Sequence, residues 1–458
     1  MSFSKEGAIV SIASGLAGGA IAIIRLSGKN CFEIASNFLR PAETLRAIKP
    51  NLTCLLKACD GDGRLIDRVI AVAYASPRSF TGENMLEIFC HASPYITRKI
   101  INLAVRHSAR QALPGEFSLR AFENGKMDLS QAEALNDLIL AESAREHAAA
   151  IRQTEGSLGK KIASFKKNLL DLLSELEVRI DDSYEETEGL NRDAFLKKTA
   201  EIKKELKKLS ESFYNGRYIK DGIRISITGA PNSGKSSLLN ALLGYDRAIV
   251  SPVPGTTRDT VEEKLELNGF KAIFTDTAGI NAETSDLLEK EGIKRTAEAI
   301  KKADIVLLLQ DGSRAKSRSD ELAEKAVSEN AGKNCEILRL YAKSDLPSKR
   351  KAAENFLRVS ALTGQGLEKL KSSILKKEKT QLDSATDEII TSVRHFKCLE
   401  ETHKNLEAAE KTLKGKGRSH ELTAENLRLA LSSLSDLVGE TTTEELLKNI
   451  FSRFCVGK

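Results

Sequence analysis

Gly229-Ala-Pro-Asn-Ser-Gly-Lys-Ser236 has the spacing GxxxxGK[ST], and its neighbours decide how it is read. Ile223-Arg-Ile-Ser-Ile-Thr228 alternates β-branched residues as a strand does, and Ser237-Leu-Leu-Asn-Ala-Leu-Leu243 reads as the first turns of a helix. Strand, glycine loop and helix in that order make a phosphate cradle. The glycines let backbone N–H groups converge on phosphate oxygens, and the helix N-terminus adds partial positive charge. The run Asn232, Ser233, Gly234, Lys235, Ser236 and Ser237 is therefore expected to hold a nucleoside triphosphate. Lys235 reaches the β- and γ-phosphates, and the Ser236 hydroxyl ligates Mg²⁺.

Downstream, Ser251-Pro-Val-Pro-Gly-Thr-Thr-Arg-Asp259 is a broken loop with paired threonines, of which Thr257 is the candidate second Mg²⁺ ligand. Val261 to Leu267, Asn268-Gly269 and Phe270 to Thr275 form a strand–turn–strand hairpin. It ends in Asp276-Thr277-Ala278-Gly279, where the aspartate suits a water-mediated hold on Mg²⁺ and the Gly279 N–H suits the γ-phosphate. Ile305-Val-Leu-Leu-Leu309 is a continuous apolar run, the mark of a buried parallel strand. Glu336 to Tyr341 is the next strand and leads into Ala342-Lys-Ser-Asp345.

Asp345 selects the base. Guanine presents N1–H and its 2-amino group as adjacent donors, which one carboxylate accepts; adenine offers no such pair. Lys343 lies along the base, and Ser360 and Ala361 close over it. The usual order here is Asn-Lys-x-Asp, whose asparagine ties this loop to the phosphate loop, and Ala342 stands in its place. Loss of that hydrogen bond predicts a GTP site weaker by about 1 kcal/mol. Signalling GTPases place a water-positioning glutamine after the aspartate-led switch and often borrow an arginine; Ile280 does neither. Asn232 and the loop from Ser251 to Thr257 could instead hold a monovalent cation, with a switch carboxylate holding water.

At 458 residues the chain has room for about three domains. Charged residues make up 29% and hydrophobic ones 41%, and a net charge of +6 permits nucleic-acid contact without demanding it. Seven cysteines contain no CxxC pair and no zinc spacing, which suits a reducing cytosol. The uncharged stretch Gly7 to Ile24 is divided by four glycines and two serines. It reads as strand, turn, strand rather than a signal peptide or membrane span, so the protein is expected to be cytoplasmic and complete as written.

Residues 1–125 alternate short strands (Ala20 to Ser27, Asp67 to Tyr74, Asn84 to His91) with helices (Cys31 to Leu39, Tyr95 to Arg106), a mixed α/β domain. Arg25 and Glu87 sit in otherwise apolar strands, where alternation allows each to face solvent. Residues 126–220 hold no proline from Leu129 to Tyr218, and Leu158, Ile162, Phe165, Leu169, Leu172 and Leu176 mark one helix face. Asp181-Asp-Ser-Tyr-Glu-Glu-Thr-Glu188 reads as a helix–helix connection, after which the period resumes from Asp193 to Phe213. Residues 221–376 are the nucleotide domain. Residues 377–458 return to helices at Ile389 to Leu413, Leu422 to Val438 and Thr442 to Phe451. One helical domain interrupted by an inserted nucleotide domain follows. The tail Cys455-Val-Gly-Lys458 lacks the aliphatic and terminal residues prenylation needs, and by itself reads as a frayed end.

The whole chain resembles the tRNA modification GTPase family, the MnmE (TrmE) proteins. The α/β head, split helical domain, inserted GTPase and terminal Cys-x-Gly-Lys carry the likeness. So do Phe80-Thr-Gly-Glu-Asn-Met-Leu-Glu87 and the run from Pro114-Gly-Glu-Phe-Ser-Leu-Arg-Ala-Phe-Glu to Gln131-Ala-Glu133. The resemblance implies a multi-domain fold, α/β plus all-α, with a Ras-like P-loop GTPase inserted in the helical part. It also implies a one-carbon folate site (5-formyl- or 5,10-methylene-tetrahydrofolate) at Arg25, Glu87, Lys126 and Lys458. A pterin shows the same adjacent donors as guanine, which suits Glu87, and the anionic folate tail suits basic groups. Cys455 becomes the candidate nucleophile. In the GTPase domain the resemblance assigns potassium to Asn232, Ser251, Val253 and Thr256, and magnesium to Ser236 and Thr257. It assigns the water-orienting carboxylate to Glu289, with Glu291 as the neighbouring register. Potassium then supplies the charge an arginine finger supplies elsewhere. One further departure from the family pattern is Phe89-Cys-His-Ala-Ser93, where Gly-His-Gly-Gly is usual, which implies a reshaped folate pocket.

The implied activity is GTP hydrolysis coupled, with an FAD-dependent partner of the MnmG/GidA type, to addition of a carboxymethylaminomethyl or aminomethyl group to the wobble uridine of tRNA. A homodimer through the head domains, and a heterotetramer with the partner, are implied too. The alternative is an RNA-binding ribosome-assembly GTPase. That reading needs a GxxG-bearing small domain or a second phosphate loop, and the sequence shows neither.

Overall fold

The computed structural model describes residues 7–15, 19–46, 52–180, 190–245, 262–276, 287–350, 355–376, 388–415 and 419–457. From the N-terminus come β1 (Ile9–Ile12), β2 (Ile21–Ser27), α1 (Cys31–Ser36), β3 (Leu39–Arg40), α2 (Ala42–Arg46), β4 (Thr53–Cys59), β5 (Leu65–Tyr74) and β6 (Met85–His91). Then follow α3 (Pro94–Arg106), β7 (Arg110–Gln111) and α4 (Glu116–Glu123). Five helices come next: α5 (Leu129–Leu140), α6 (Ala144–Thr154), α7 (Ser157–Ile180), α8 (Arg192–Glu211) and α9 (Phe213–Asp221). After them run β8 (Ile223–Gly229), α10 (Lys235–Tyr245), β9 (Glu262–Leu267), β10 (Phe270–Asp276), α11 (Leu287–Lys302) and β11 (Ile305–Asp311). The chain closes with α12 (Arg318–Asn330), β12 (Glu336–Ala342), β13 (Phe356–Arg358), α13 (Leu367–Ile374), α14 (Val393–Lys414), α15 (His420–Val438) and α16 (Glu444–Phe451). These elements make two compact units, one of Met1–Ile139, Ile151–Ile202 and Glu401–Lys458, the other of Leu140–Ala150 and Lys203–Glu400.

In the first unit a seven-stranded sheet runs β3-β4-β5-β6-β2-β1-β7. Alternation along β2 and β6 sends Ala22, Ile24, Leu26, Leu86, Ile88 and Cys90 to one face, where they pack with Ile34 of α1 and Ile100 and Leu103 of α3. The same alternation sends Arg25 and Glu87 to the other face, directly opposite each other in register. The helix predicted over Cys31 to Leu39 stops at Ser36. Asn37 Nδ2 donates to the Glu33 and Ile34 carbonyls there, and Leu39–Arg40 is captured by Ala58 and Lys57 of β4. In α7 all six residues of the predicted stripe are buried, packed against α15 with its buried Leu427, Ala430, Leu434 and Leu437. The C-terminal end is not frayed. Phe451 and Phe454 bury with Leu119, Leu129 and Ala132, and Gly457 lies so close to β1 that a Cβ there would stand 1.9 Å from the Ile12 carbonyl. The acidic run 181–188 lies outside the described residues.

The second unit is built on a six-stranded sheet, β13-β12-β11-β8-β10-β9, parallel except for β9. Both faces are covered. Leu238, Leu239 and Leu242 of α10 and Leu367, Leu370 and Ile374 of α13 pack on one side, and Ile300, Ala323 and Val327 of α11 and α12 on the other. Central β11 is accordingly buried along its whole length, as its unbroken apolar run requires. The helix predicted from Ile389 begins at Val393. Before it, Ile390 donates its N–H to Ser212 Oγ at 3.0 Å.

Candidate functional site

The phosphate cradle forms where β8 ends. A Cβ at Gly229 would stand 2.3 Å from the Leu309 carbonyl, so the approach of β8 to β11 admits no side chain. Asn232 and Gly234 take positive φ, 61° and 101°, which curls the loop toward the N-terminus of α10. Lys235 is 8% exposed, and its ammonium donates to the Gly229 and Ala230 carbonyls at 3.1 and 3.0 Å. Ser236 and Ser237 are exposed in the first helical turn, where N–H groups and dipole favour anions. The Ser233 hydroxyl is buried without a hydrogen-bond partner.

At the far end of the site Lys343 takes φ 58° and donates to two acceptors: the Asn232 carbonyl at 3.0 Å and Asp311 Oδ2 at 2.7 Å. Burial opposes ionisation of Asp311, but bonds from Lys343 and Ser313 outweigh it and hold its carboxyl below the usual range. Asp345 accepts a 2.6 Å bond from the Ser360 hydroxyl, and Ser344 N–H donates to the Val359 carbonyl. Lys343, Asp345 and Ser360, expected at the base, therefore come together beside the cradle, and Ala361 follows Ser360 in the chain. Asp311 was not among the residues singled out from sequence; an aspartate closing an apolar strand carries no motif. Thr277, Ala278, Gly279 and the loop with Ser251, Val253, Thr256 and Thr257 lie outside the described residues. So do the side chains of Asp276 and Glu289, although Asp276 ends β10 and Glu289 falls in α11.

In the first unit Arg25 and Glu87 are not solvated singly but paired. Arg25 Nε and Nη2 donate to Glu87 Oε1 at 3.0 and 2.7 Å, and the two side chains are 18% and 12% exposed. The guanidinium lies 5.3 and 5.7 Å from the ring centroids of Phe80 and Phe117, and its Nη1 donates to the Gly457 carbonyl at 3.4 Å. Tyr74 donates to Glu87 Oε2 at 3.3 Å; burial and the neighbouring carboxylate keep its phenol above the ordinary value. Cys455 is exposed, with its carbonyl accepting from Gly115 N–H at 3.4 Å. Lys126 is exposed and donates to the Pro77 carbonyl, and Lys458 lies outside the described residues. His91 is 71% exposed, its Nδ1 bonded to Asp67 at 2.8 Å. All seven cysteines are free thiols.

A parallel sheet with helices on both faces, a Lys-Ser cradle at the end of β8 and a carboxylate beyond the fourth parallel strand define a P-loop nucleotide hydrolase. Residues 129–455 match the family described as MnmE helical domain, and residues 8–126 the one described as GTP-binding protein TrmE N-terminus. Proteins named tRNA modification GTPase MnmE match almost end to end. That of Christiangramia forsetii is 40% identical over 98% of this chain and 99% of its own, and that of Thermotoga petrophila 38% over the same shares. That of Aquifex aeolicus is 37% identical over 98% and 99%. The chain belongs to the MnmE family. It binds GTP and is a GTPase that acts in tRNA modification.

Proposed function

We propose that GTP hydrolysis in the second unit gates a one-carbon transfer prepared in the first. With an FAD-dependent partner of the MnmG/GidA type, the transfer places a carboxymethylaminomethyl or aminomethyl group on C5 of the wobble uridine. The observation that carries this reading is the Arg25–Glu87 pair. It is a nearly buried ion pair, flanked by two aromatic rings, with the Gly457 carbonyl seated on Arg25 and the free thiol Cys455 two residues before it in the chain. Glu87 keeps Oε2 with one weak donor, so it can accept from a pterin; half-buried Phe80 lies beside the pair, and Lys126 and Lys458 suit the folate carboxylates. A reduced folate bound there would supply the carbon at the oxidation level of formyl or methylene.

In the second unit Lys235 leaves its two loop carbonyls for the β- and γ-phosphates, and Asp345 and Lys343 take the guanine. Ser236, exposed at the helix start, would hold Mg²⁺ with Thr257. Asn232, at the cradle rim, would hold K⁺ with Ser251, Val253 and Thr256. The two ions would supply positive charge at the β/γ oxygens as the P–O bond breaks. Glu289 orients the attacking water. Among the described residues no helix is long and apolar enough to cross a membrane, and we place the reaction in the cytoplasm, carried by a homodimer bound to its partner. Nucleoside mass spectrometry of tRNA from a strain lacking the gene tests the reading: the C5-modified wobble uridines disappear, and their persistence would overturn it.

A further inference from the structure

We propose that Asp311 is the positioning residue that makes the guanine end of this GTPase work without the motif asparagine, and the proposal rests on the reading that Lys343 and Asp345 take the base. In the usual motif the residue before the lysine ties the base loop to the phosphate loop. Here that residue is Ala342, whose Cβ stands 3.8 Å from the point where a Cβ on Gly234 would be, with nothing polar to offer. The tie runs another way. Asp311 pairs in register with Ala342, and its two carboxylate oxygens divide the task. Oδ1 accepts from Ser313 N–H at 2.9 Å and Ser313 hydroxyl at 2.6 Å, which fixes the carboxylate plane. Oδ2 accepts from Lys343 Nζ at 2.7 Å, and Arg314 stands off at 3.6 Å on the exposed side.

Held this way, the Lys343 ammonium lies within 3.0 Å of the Asn232 carbonyl. One lysine thus bridges β11, the base loop and the phosphate loop, with its stem left as the ledge for the base. Lys343 sits at left-handed φ, 58°, a conformation uncommon for a lysine, while Asn232 at 61° is of a type that enters it readily. The two charge-assisted bonds fix the Lys343 side chain between the loops. A neutral substitute at 311 leaves the ammonium free to swing, and the loop with it.

The full-length chain tests this by titration calorimetry with GTP and by steady-state hydrolysis. Asp311→Asn is expected to raise the GTP Kd and KM about tenfold, the effect of one charged hydrogen bond, while kcat at saturating GTP stays within about threefold. Ala342→Asn restores the asparagine tie, so in that background the Asp311→Asn loss shrinks to about threefold or less. Ser313→Ala, which only frees the Asp311 plane, shifts KM the same way by a smaller factor and reads the proposal if Asp311→Asn fails to fold. GTP affinity within twofold of wild type in both variants overturns the proposal, as does an undiminished loss in the Ala342→Asn background, or a fall in kcat with KM unmoved. Asp345→Asn is run alongside: if it leaves GTP binding intact, the base assignment itself fails, separately from Asp311.

Discussion

Arg145 carries its guanidinium 4.4 Å from the ring centroid of Phe270, and its backbone N–H donates to the Gly269 carbonyl at 3.1 Å. The β9–β10 hairpin is thereby fastened to the segment Leu140–Ala150, and ion pairs tighten the joint. Lys264 reaches Glu142 at 2.8 Å, and Lys271 lies 3.5 and 3.6 Å from Glu142 and Glu146. Glu146 shows what the joint costs: burial raises its carboxyl above the usual range although Lys271 and the Glu142 N–H pull it down. The β9–β10 hairpin is thus held by Arg145 and Glu146 of α6 and by Glu142 just before it.

Arg145→Ala removes the stacking but not the backbone bond, and should destabilise the second unit by about 1 kcal/mol. Thermal unfolding followed by far-UV circular dichroism should show its transition lowered by roughly 2–4 °C. Arg145→Lys should recover part of the loss, since an ammonium still sits over the ring but less well than a planar guanidinium. Equal transitions for all three proteins would mean that the contact contributes nothing in solution.

Glu116 predicts an acid-sensitive first unit. It is 1% exposed; burial opposes its ionisation, but Arg110, the Leu113 N–H and Arg120 outweigh that and hold it below its ordinary value of 4.5. A depressed carboxyl contributes stability that is complete above about pH 4.5 and is lost as pH falls through the folded value. Glu116→Gln should cost about 2 kcal/mol at pH 7, less than a fully buried pair, because Arg110 is partly exposed and Arg120 keeps Glu83. The difference in urea midpoint from wild type should narrow between pH 7 and pH 3. A gap independent of pH would show that packing, not charge, sets the cost.

Much of this was legible in the sequence because the phosphate loop and the α7 stripe are local signals. The cradle needs eight consecutive residues, and Leu158 to Leu176 needs only one helix period. What stayed hidden is what depends on residues far apart. β4 escaped notice because outward Leu55 breaks its alternation, and a two-residue β3 has no pattern at all. That Arg25 is paired and stacked rather than solvated depends on Glu87, Phe80, Phe117 and Gly457, four positions spread over the chain. Asp311 was invisible for the same reason: its meaning comes from Lys343, 32 residues on.

Base choice should invert at Asp345. On the proposed base site its carboxylate would accept two donors from guanine; an asparagine keeps one acceptor and offers an amide N–H₂ that would meet the guanine 2-amino group donor to donor. Asp345→Asn should lose GTP affinity by roughly a hundredfold, about two charged hydrogen bonds, and gain affinity for xanthosine triphosphate, whose 2-carbonyl accepts that amide. Titration calorimetry with both nucleotides decides it, and a variant that still prefers GTP would place the base elsewhere.

Hydrolysis should run faster in potassium than in sodium. Ile280 offers no water-positioning group, and on the proposed reading Lys235, Mg²⁺ and a cation at Asn232 would carry the transition-state charge. Steady-state phosphate release at fixed ionic strength should be at least about tenfold higher in potassium chloride, equivalent to about 1.4 kcal/mol of transition-state stabilisation. Asn232→Ala should abolish that difference while GTP binding persists through Lys235 and Asp345. Equal rates in the two salts would remove the cation from the mechanism.

The chain end is seated on β1 by close packing. Gly457 takes φ 94°, and a Cβ there would stand 1.9 Å from the Ile12 carbonyl, so Gly457→Ala cannot keep the present seat. Lifting the tail also takes the Gly457 carbonyl from Arg25 and moves Cys455, two residues away, off its anchor at Gly115. The expected outcome is a variant that hydrolyses GTP normally, because the cradle lies in the other unit, yet loses wobble-uridine modification as completely as Cys455→Ser. In vitro modification scored by nucleoside mass spectrometry, with phosphate release from the same samples, separates the two activities. If Gly457→Ala modified tRNA at the wild-type rate, the seat of the tail would be a packing detail, and Cys455 would have no claim to the chemistry from its position.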